Sequence, residues 1–150
     1  MIHRLIYVSR PEDSIDDDDL RSIAEVSLTR NAVQGITGYL YFDSDAFIQE
    51  IEGIQQDVEA LYASIRRDTR HSSVRTVLVQ ETDTRAFGNW TMAFHNGNQD
   101  GGLLKQEFGD DACATLTEDD GERLLRFLRE LSIGHRDVSP VAQTDRMEEA

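Results

Sequence analysis

The sequence predicts an α+β sandwich in which one sheet carries two helices on one face. Three observations predict it. Short segments with strand-period alternation are separated by two segments with helix-period apolar stripes. Their order along the chain is βαββαββ, which is incompatible with a simple alternating parallel fold. Finally, strand residues are apolar on both faces, so the sheet needs a second layer opposite the helices.

The first strand is expected over residues 2–9, where Leu5, Tyr7 and Ser9 share one face and Ile6 and Val8 the other; Pro11 to Ser14 then break it. Asp16 to Asp19 form an acidic helix start that complements the dipole. Leu20, Ile23, Ala24, Ser27, Leu28 and Asn31 follow at helical spacing, so the predicted buried stripe contains Ser27 and Asn31 as well as aliphatics. Gly35 suits the helix end. Ile36 to Phe42 and Ala46 to Ile51 then read as a hairpin around Asp43-Ser44-Asp45, with Phe47, Gln49 and Ile51 on one face. Val58, Leu61, Tyr62 and Ile65 mark a second helix, with Arg66 and Arg67 near its end. Val74 to Gln80 and Trp90 to Phe94 supply two further strands. This order resembles a ferredoxin-like sheet.

Beyond the last strand, Asn96 to Gly102 is turn-rich. Leu103, Leu104 and Phe108 suit a short helix, and Thr117 with Asp120 opens a longer one bearing Leu124, Leu125, Leu128 and Leu131 on one side. These helices are expected to cap the second sheet face, where Ile6, Val8, Tyr41 and Ile48 need cover. The expected organisation is a core over 1–96, a helical cap over 97–134 and a disordered tail over 135–150.

Composition limits the functions open to such a domain. At 150 residues with a net charge of -14, the chain is one domain with no room for a second catalytic one. Its charge argues against nucleic acid and anionic membranes, which require clustered Lys and Arg. No stretch approaches the roughly 20 apolar residues of a membrane span, and no signal peptide opens the chain. Cys113 is the single cysteine, so a reducing cytoplasm is the expected setting. His3, His71, His95 and His135 lack metal-ligand spacing, and no G-x-S-x-G or other nucleophilic dyad is present. A metal site and enzymatic activity are therefore not expected.

One buried polar pair stands out. Alternation places Tyr7 and Gln49 on the same face of neighbouring strands, each among apolar residues. An amide buried without partners costs about 1–3 kcal/mol, so Gln49 calls for a hydroxyl and a polar ligand nearby.

Five segments in order, Tyr7 in the first strand, Asn31 to Gly38, Phe47-Ile48-Gln49 with Glu52-Gly53, Arg67 to Ser72, and Phe87 to Met92, together resemble the BLUF family of flavin-binding blue-light sensors, over about residues 2–95. The resemblance implies a flavin held between the two helices and the sheet. Ile23 would contact its flat faces. Asn31 and Gln49 would meet its polar edge, and Arg70 and His71 its carbonyl side or its ribityl and phosphate chain, with Arg30 a weaker candidate for the same chain. FAD is the implied cofactor, with FMN or riboflavin able to substitute. Tyr7 would donate an electron and a proton through Gln49, whose hydrogen bonds would rearrange, and Trp90 and Met92 would relay the change to the C-terminal helices. Cys113 lies outside the sensing core, so a cysteinyl adduct is not expected.

The sequence departs from the family at Ile48 and Glu50, where apolar and often aromatic residues are usual. Glu50 must then lie on the outer sheet face. Asp68, beside Arg66, Arg67 and Arg70, forms a simple ion pair or positions an arginine. Output is expected through a separate, unknown downstream protein, with self-association through the outer sheet face. The competing readings are an acylphosphatase-like hydrolase and a regulatory module binding another small molecule. The hydrolase is disfavoured because Glu12, Asp13 and Asp16 to Asp19 follow Arg10, where an anion cradle would be needed.

Overall fold

The structure, a computed structural model, describes residues 1–16, 18–19, 21–23, 31, 34–88 and 93–135. Five strands form one sheet: β1 (Ile2–Pro11), β2 (Thr37–Phe42), β3 (Phe47–Gly53), β4 (His71–Thr82) and β5 (Ala93–Asn96), in the spatial order β4-β1-β3-β2-β5. All neighbours are antiparallel except β2 and β5, which run parallel. This is the ferredoxin-like α+β arrangement.

The strand alternation divides the core in two. On one face Leu5, Tyr7, Leu40, Phe47 and Ile51 pack with Val58, Leu61 and Tyr62 of helix Gln55–Arg67. Ile15 and Ile23, from the segment between β1 and β2, join the same cluster. Asp18, Asp19, Arg21–Ile23, Asn31 and Gln34 in that segment are helical. The expected stripe residues Leu20, Ala24, Ser27 and Leu28 lie outside the described residues.

The other face holds Ile6, Val8, Tyr39, Tyr41 and Ile48 beneath the C-terminal helices. Helices Leu103–Phe108 and Ala112–Thr115 contribute Leu104, Ala112 and Cys113; helix Gly121–His135 contributes Leu124, Leu125, Phe127 and Leu128. Thr117 and Asp120 form a capping box at the short 3₁₀ turn leading into the last of these. Gly121 lies hard against β4: a Cβ there would be 2.6 Å from the Val77 carbonyl oxygen. Arg75 of β4 bonds the carbonyls of Cys113 and Leu116 and so ties the cap to the sheet.

β4 is longer than its apolar pattern indicates. It starts at His71, because His71 and Ser72 pair with Pro11 and Arg10 across a register shift between Val8 and Arg10. Ser73, at φ 55°, falls within that shift, as a bulge residue does. Bulge residues interrupt alternation, and Val74 is therefore where the sequence pattern becomes readable. The strand expected from Trp90 is described from Ala93 onward; Trp90 and Met92 lie outside the described residues. None of the described helices is long and apolar enough to cross a membrane.

Candidate functional site

β1 and β3 pair so that Tyr7 is directly opposite Gln49. Both side chains point to the face of helix Gln55–Arg67, and the Tyr7 hydroxyl donates to Gln49 Oε1 at 2.7 Å. Tyr7 is 4 % and Gln49 5 % exposed. Burial raises the Tyr7 pKa, with Tyr62 and Asp68 adding to the effect. The phenol therefore holds its proton firmly and remains a hydrogen-bond donor.

This pair forms the floor of a cleft walled by Ile23, Leu40, Phe47, Leu61 and Ile65, with Ser64, Asp68, Arg70 and His71 toward its rim. The walls come from four different elements, and strand and helix periodicity bring them to one place. Tyr62 packs against Tyr7 with ring centroids 5.6 Å apart, and its hydroxyl meets Thr76 Oγ1 at 2.8 Å.

His71 braces one end. Its Nε2 reaches the Ile65 carbonyl oxygen at 2.8 Å, which requires that nitrogen to donate, and in the neutral ring Nδ1 then accepts from the Ser9 hydroxyl at 2.6 Å. Both nitrogens are thus engaged, and the ring stands edge-on to Tyr7 and Phe47. Arg70 lies at the mouth, gripped by Asp68 through contacts of 2.9 and 3.1 Å from Nε and 2.5 Å from Nη2. The question the sequence left open at Asp68 resolves to an Asp68–Arg70 ion pair on the cleft rim. Asn31 is completely buried, and its carbonyl accepts from the Ile36 amide where the helical segment gives way to β2. Arg30 lies outside the described residues.

Sequence reasoning placed Tyr7 and Gln49 together but missed Ser9, Leu40, Tyr62 and Ser64. Ser9 and Leu40 were accessible in principle, since alternation puts both on the Tyr7 face. Tyr62 and Ser64 sit on a helix whose angle across the sheet the periodicity does not specify.

The donor set suits the flavin that the sequence resemblance implies. Aliphatic and aromatic walls match the faces of a flat ring, an amide and a phenol match its polar edge, and a guanidinium at the mouth matches a phosphate-bearing chain. A hydrolytic site would need a nucleophile with a placed base. Ser9, the hydroxyl paired with His71, is 0 % exposed and lies behind the cleft lining, so it is not presented to a substrate there.

Comparison with known proteins points to the same family. The model of the BLUF family, described as sensors of blue-light using FAD, matches residues 2–93. Photoactivated adenylate cyclase subunit alpha of Euglena gracilis is 36% identical over 85 residues, 57% of this chain; the match spans only 8% of that much longer protein. Among solved structures, the BlsA ground state superposes with a TM-score of 0.74 at 28% identity, covering 86% of this chain and 88% of that one. BlrP1 of Klebsiella pneumoniae, determined with FMN and cyclic diGMP, gives a TM-score of 0.66 at 25% identity over 91% of this chain and 36% of its own.

Proposed function

The chain belongs to the BLUF family of flavin-dependent blue-light sensors, and from that premise we propose that light acts on its Tyr7–Gln49 pair and is reported to a separate protein through the C-terminal cap. The observation that carries this reading is the 2.7 Å bond from the buried Tyr7 hydroxyl to Gln49 Oε1 on the floor of the cleft.

Bound flavin supplies blue-light absorption and an excited-state electron acceptor. Leu40, Phe47 and Leu61, which line the cleft, would enclose the ring and keep water from the floor. Tyr7 gives up one electron, and because an oxidised phenol is a far stronger acid than a neutral one, its proton leaves with it along the bond to Gln49. Electron and proton then return to Tyr7. Gln49, whose amide presents a donor on one side and an acceptor on the other, is left with its hydrogen bonds exchanged. The lasting product is a re-paired amide with no covalent change, which accords with Cys113 lying under the cap, away from the cleft.

The altered pairing at Gln49 passes along β3 and through residues 89–92, including Trp90, toward the cap; Met92 adjoins β5. A shift of a few kcal/mol in the cap's position is enough to change affinity for a partner. Ile133, 66 % exposed on helix Gly121–His135, and Val79, 55 % exposed on edge strand β4, offer apolar contact points for that partner or for a second copy of the chain.

The test is the visible spectrum of the purified protein before and after blue light, followed through dark recovery. A yellow protein whose bands shift slightly red and return is expected. A colourless protein that fails to take up added FAD, FMN or riboflavin would remove the reading.

A further inference from the structure

The face of β3 opposite the cleft buries two carboxyl groups that light sensing at Tyr7 and Gln49 does not use. Glu50 and Glu52 are both 0 % exposed under the cap. Arg4 of β1 reaches both, with Nε 3.0 Å from Glu50 Oε2 and 3.6 Å from Glu52 Oε1. Arg4 is the one guanidinium in ion-pair reach of these carboxylates among the described residues, and two ionised carboxylates side by side would repel each other in a site closed to water, an arrangement that buried groups relieve by binding a proton.

The hydrogen bonds say which acid carries that proton. Glu52 accepts from the Ala86 amide at Oε1 and from the Phe87 amide and Thr37 hydroxyl at Oε2, each at 2.9 Å. That donor set is fit for a carboxylate. Glu50 Oε2 accepts from Arg4, while its Oε1 is buried and meets no donor. A proton on Glu50, directed to Glu52, removes both the repulsion and the orphan atom.

We propose that Glu50 and Glu52 share one proton resident on Glu50, and that this pair, clamped by Arg4, is the positioning link from the strand of Gln49 to the cap. Its second half rests on the light-sensing reading above. The link has a continuous path. Arg4 Nη1 donates to Gln80 Oε1 at 2.6 Å, and Gln80 Nε2 donates to Glu122 Oε1 at 2.9 Å in the first turn of helix Gly121–His135. Arg4 Nη2 also donates to the Thr84 carbonyl. Glu52 holds the amides of residues 86 and 87, which lead into the segment containing Trp90.

The charged and titratable groups around the pair are Arg4 from β1, Tyr39, which is Glu50's register partner on β2, Arg85, which bonds Thr37 and the Glu52 carbonyl, and Glu122 at one remove. Burial, then the neighbouring Glu52, push the Glu50 pKa up, against the pull of Arg4. Burial also opposes ionised Glu52, but the bonds from Glu50 and from the Phe87 and Ala86 amides hold it low. A group raised in this way stabilises the fold below its unfolded pKa of about 4.3 and loses that contribution as pH climbs toward its folded value.

The test uses the full chain and Glu50→Gln, whose amide accepts from Arg4 and donates to Glu52 as the protonated acid does. The variant should fold, bind flavin and keep its light-induced red shift. Wild type should show a protonated-carboxyl band in its dark infrared spectrum, perturbed in the light-minus-dark difference and lost in Glu50→Gln. In denaturation, wild type should lose stability relative to the variant as pH rises above the ordinary glutamate range. A wild-type spectrum without that band, or parallel pH profiles, would overturn the shared proton. A band indifferent to light in a protein that does shift red would overturn the link alone. A wild type with no red shift would instead remove the light-sensing reading and with it the link, leaving the dark band and pH profile to decide the proton.

Discussion

Along β3, Phe47, Gln49 and Ile51 face the cleft and helix Gln55–Arg67, while Ile48, Glu50 and Glu52 face the C-terminal cap. Both faces bury polar side chains in apolar surroundings, yet they satisfy them differently. The cleft face joins a neutral phenol to a neutral amide by one bond, with tilted and edge-on ring contacts around it. The cap face joins charged groups through many bonds, with Arg4 alone reaching Glu50, Gln80 and the Thr84 carbonyl. A neutral pair can exchange donor and acceptor at small cost, whereas breaking a buried ion pair leaves an uncompensated charge. The difference assigns switching to one side of the strand and holding to the other.

That contrast is most directly broken at the cleft. Tyr7→Phe removes the electron and proton donor, and Gln49→Leu removes the amide that re-pairs. Each should retain flavin and lose the light-induced red shift entirely, at a stability cost of about 1–3 kcal/mol or less for the buried partner left unpaired; a normal photocycle in both variants would show that switching does not reside there. On the cap face the expected result is the reverse. Arg4→Ala leaves Glu50 and Glu52 without their cation and should cost about 3–5 kcal/mol in chemical denaturation, while any protein that remains folded keeps its red shift. Leu124→Ala, in a position with no solvent exposure, should cost about 2–5 kcal/mol through lost burial and a residual cavity, again with the dark spectrum preserved.

The sequence carried the cleft face further than the cap face, for reasons visible in particular residues. Period-two alternation put Tyr7 and Gln49 on one face of neighbouring strands, and the helical stripe Val58, Leu61, Tyr62 marked what a second helix would bury, though not its angle across the sheet. Alternation also required Glu50 and, two residues on, Glu52 to turn outward, but it could not show what covers them or that Arg4 crosses from β1 to meet both. Those contacts depend on strand register and on where the cap docks, and both are set by side chains distant in sequence. The early start of β4 was hidden for a related reason: its first residues pair across a bulge and break the alternation that would announce them. Thr117 and Asp120, by contrast, are a local signal, and the capping box appears where the sequence puts it.

The smallest expected effect concerns the rim of the cleft, where a charged pair occurs on the switching side. Asp68 grips Arg70 at the surface, and its pKa is lowered first by that side-chain bond. A carboxylate lowered in this way adds stability above its unfolded pKa of about 3.9 and loses it as pH falls through the folded value. Exposure and salt limit the contribution to about 0.2–1 kcal/mol. Asp68→Asn should therefore cost little at neutral pH, and the difference from wild type should vanish in acid. The same substitution releases Arg70 from its competitor at the mouth of the cleft. If Arg70 meets the phosphate-bearing chain of the cofactor, Asp68→Asn should strengthen binding of FAD and FMN relative to riboflavin, measured by flavin titration of the apoprotein. An unchanged preference among the three flavins would confine the pair to fastening the end of helix Gln55–Arg67 to β4, and the rim would then belong with the holding side of the molecule.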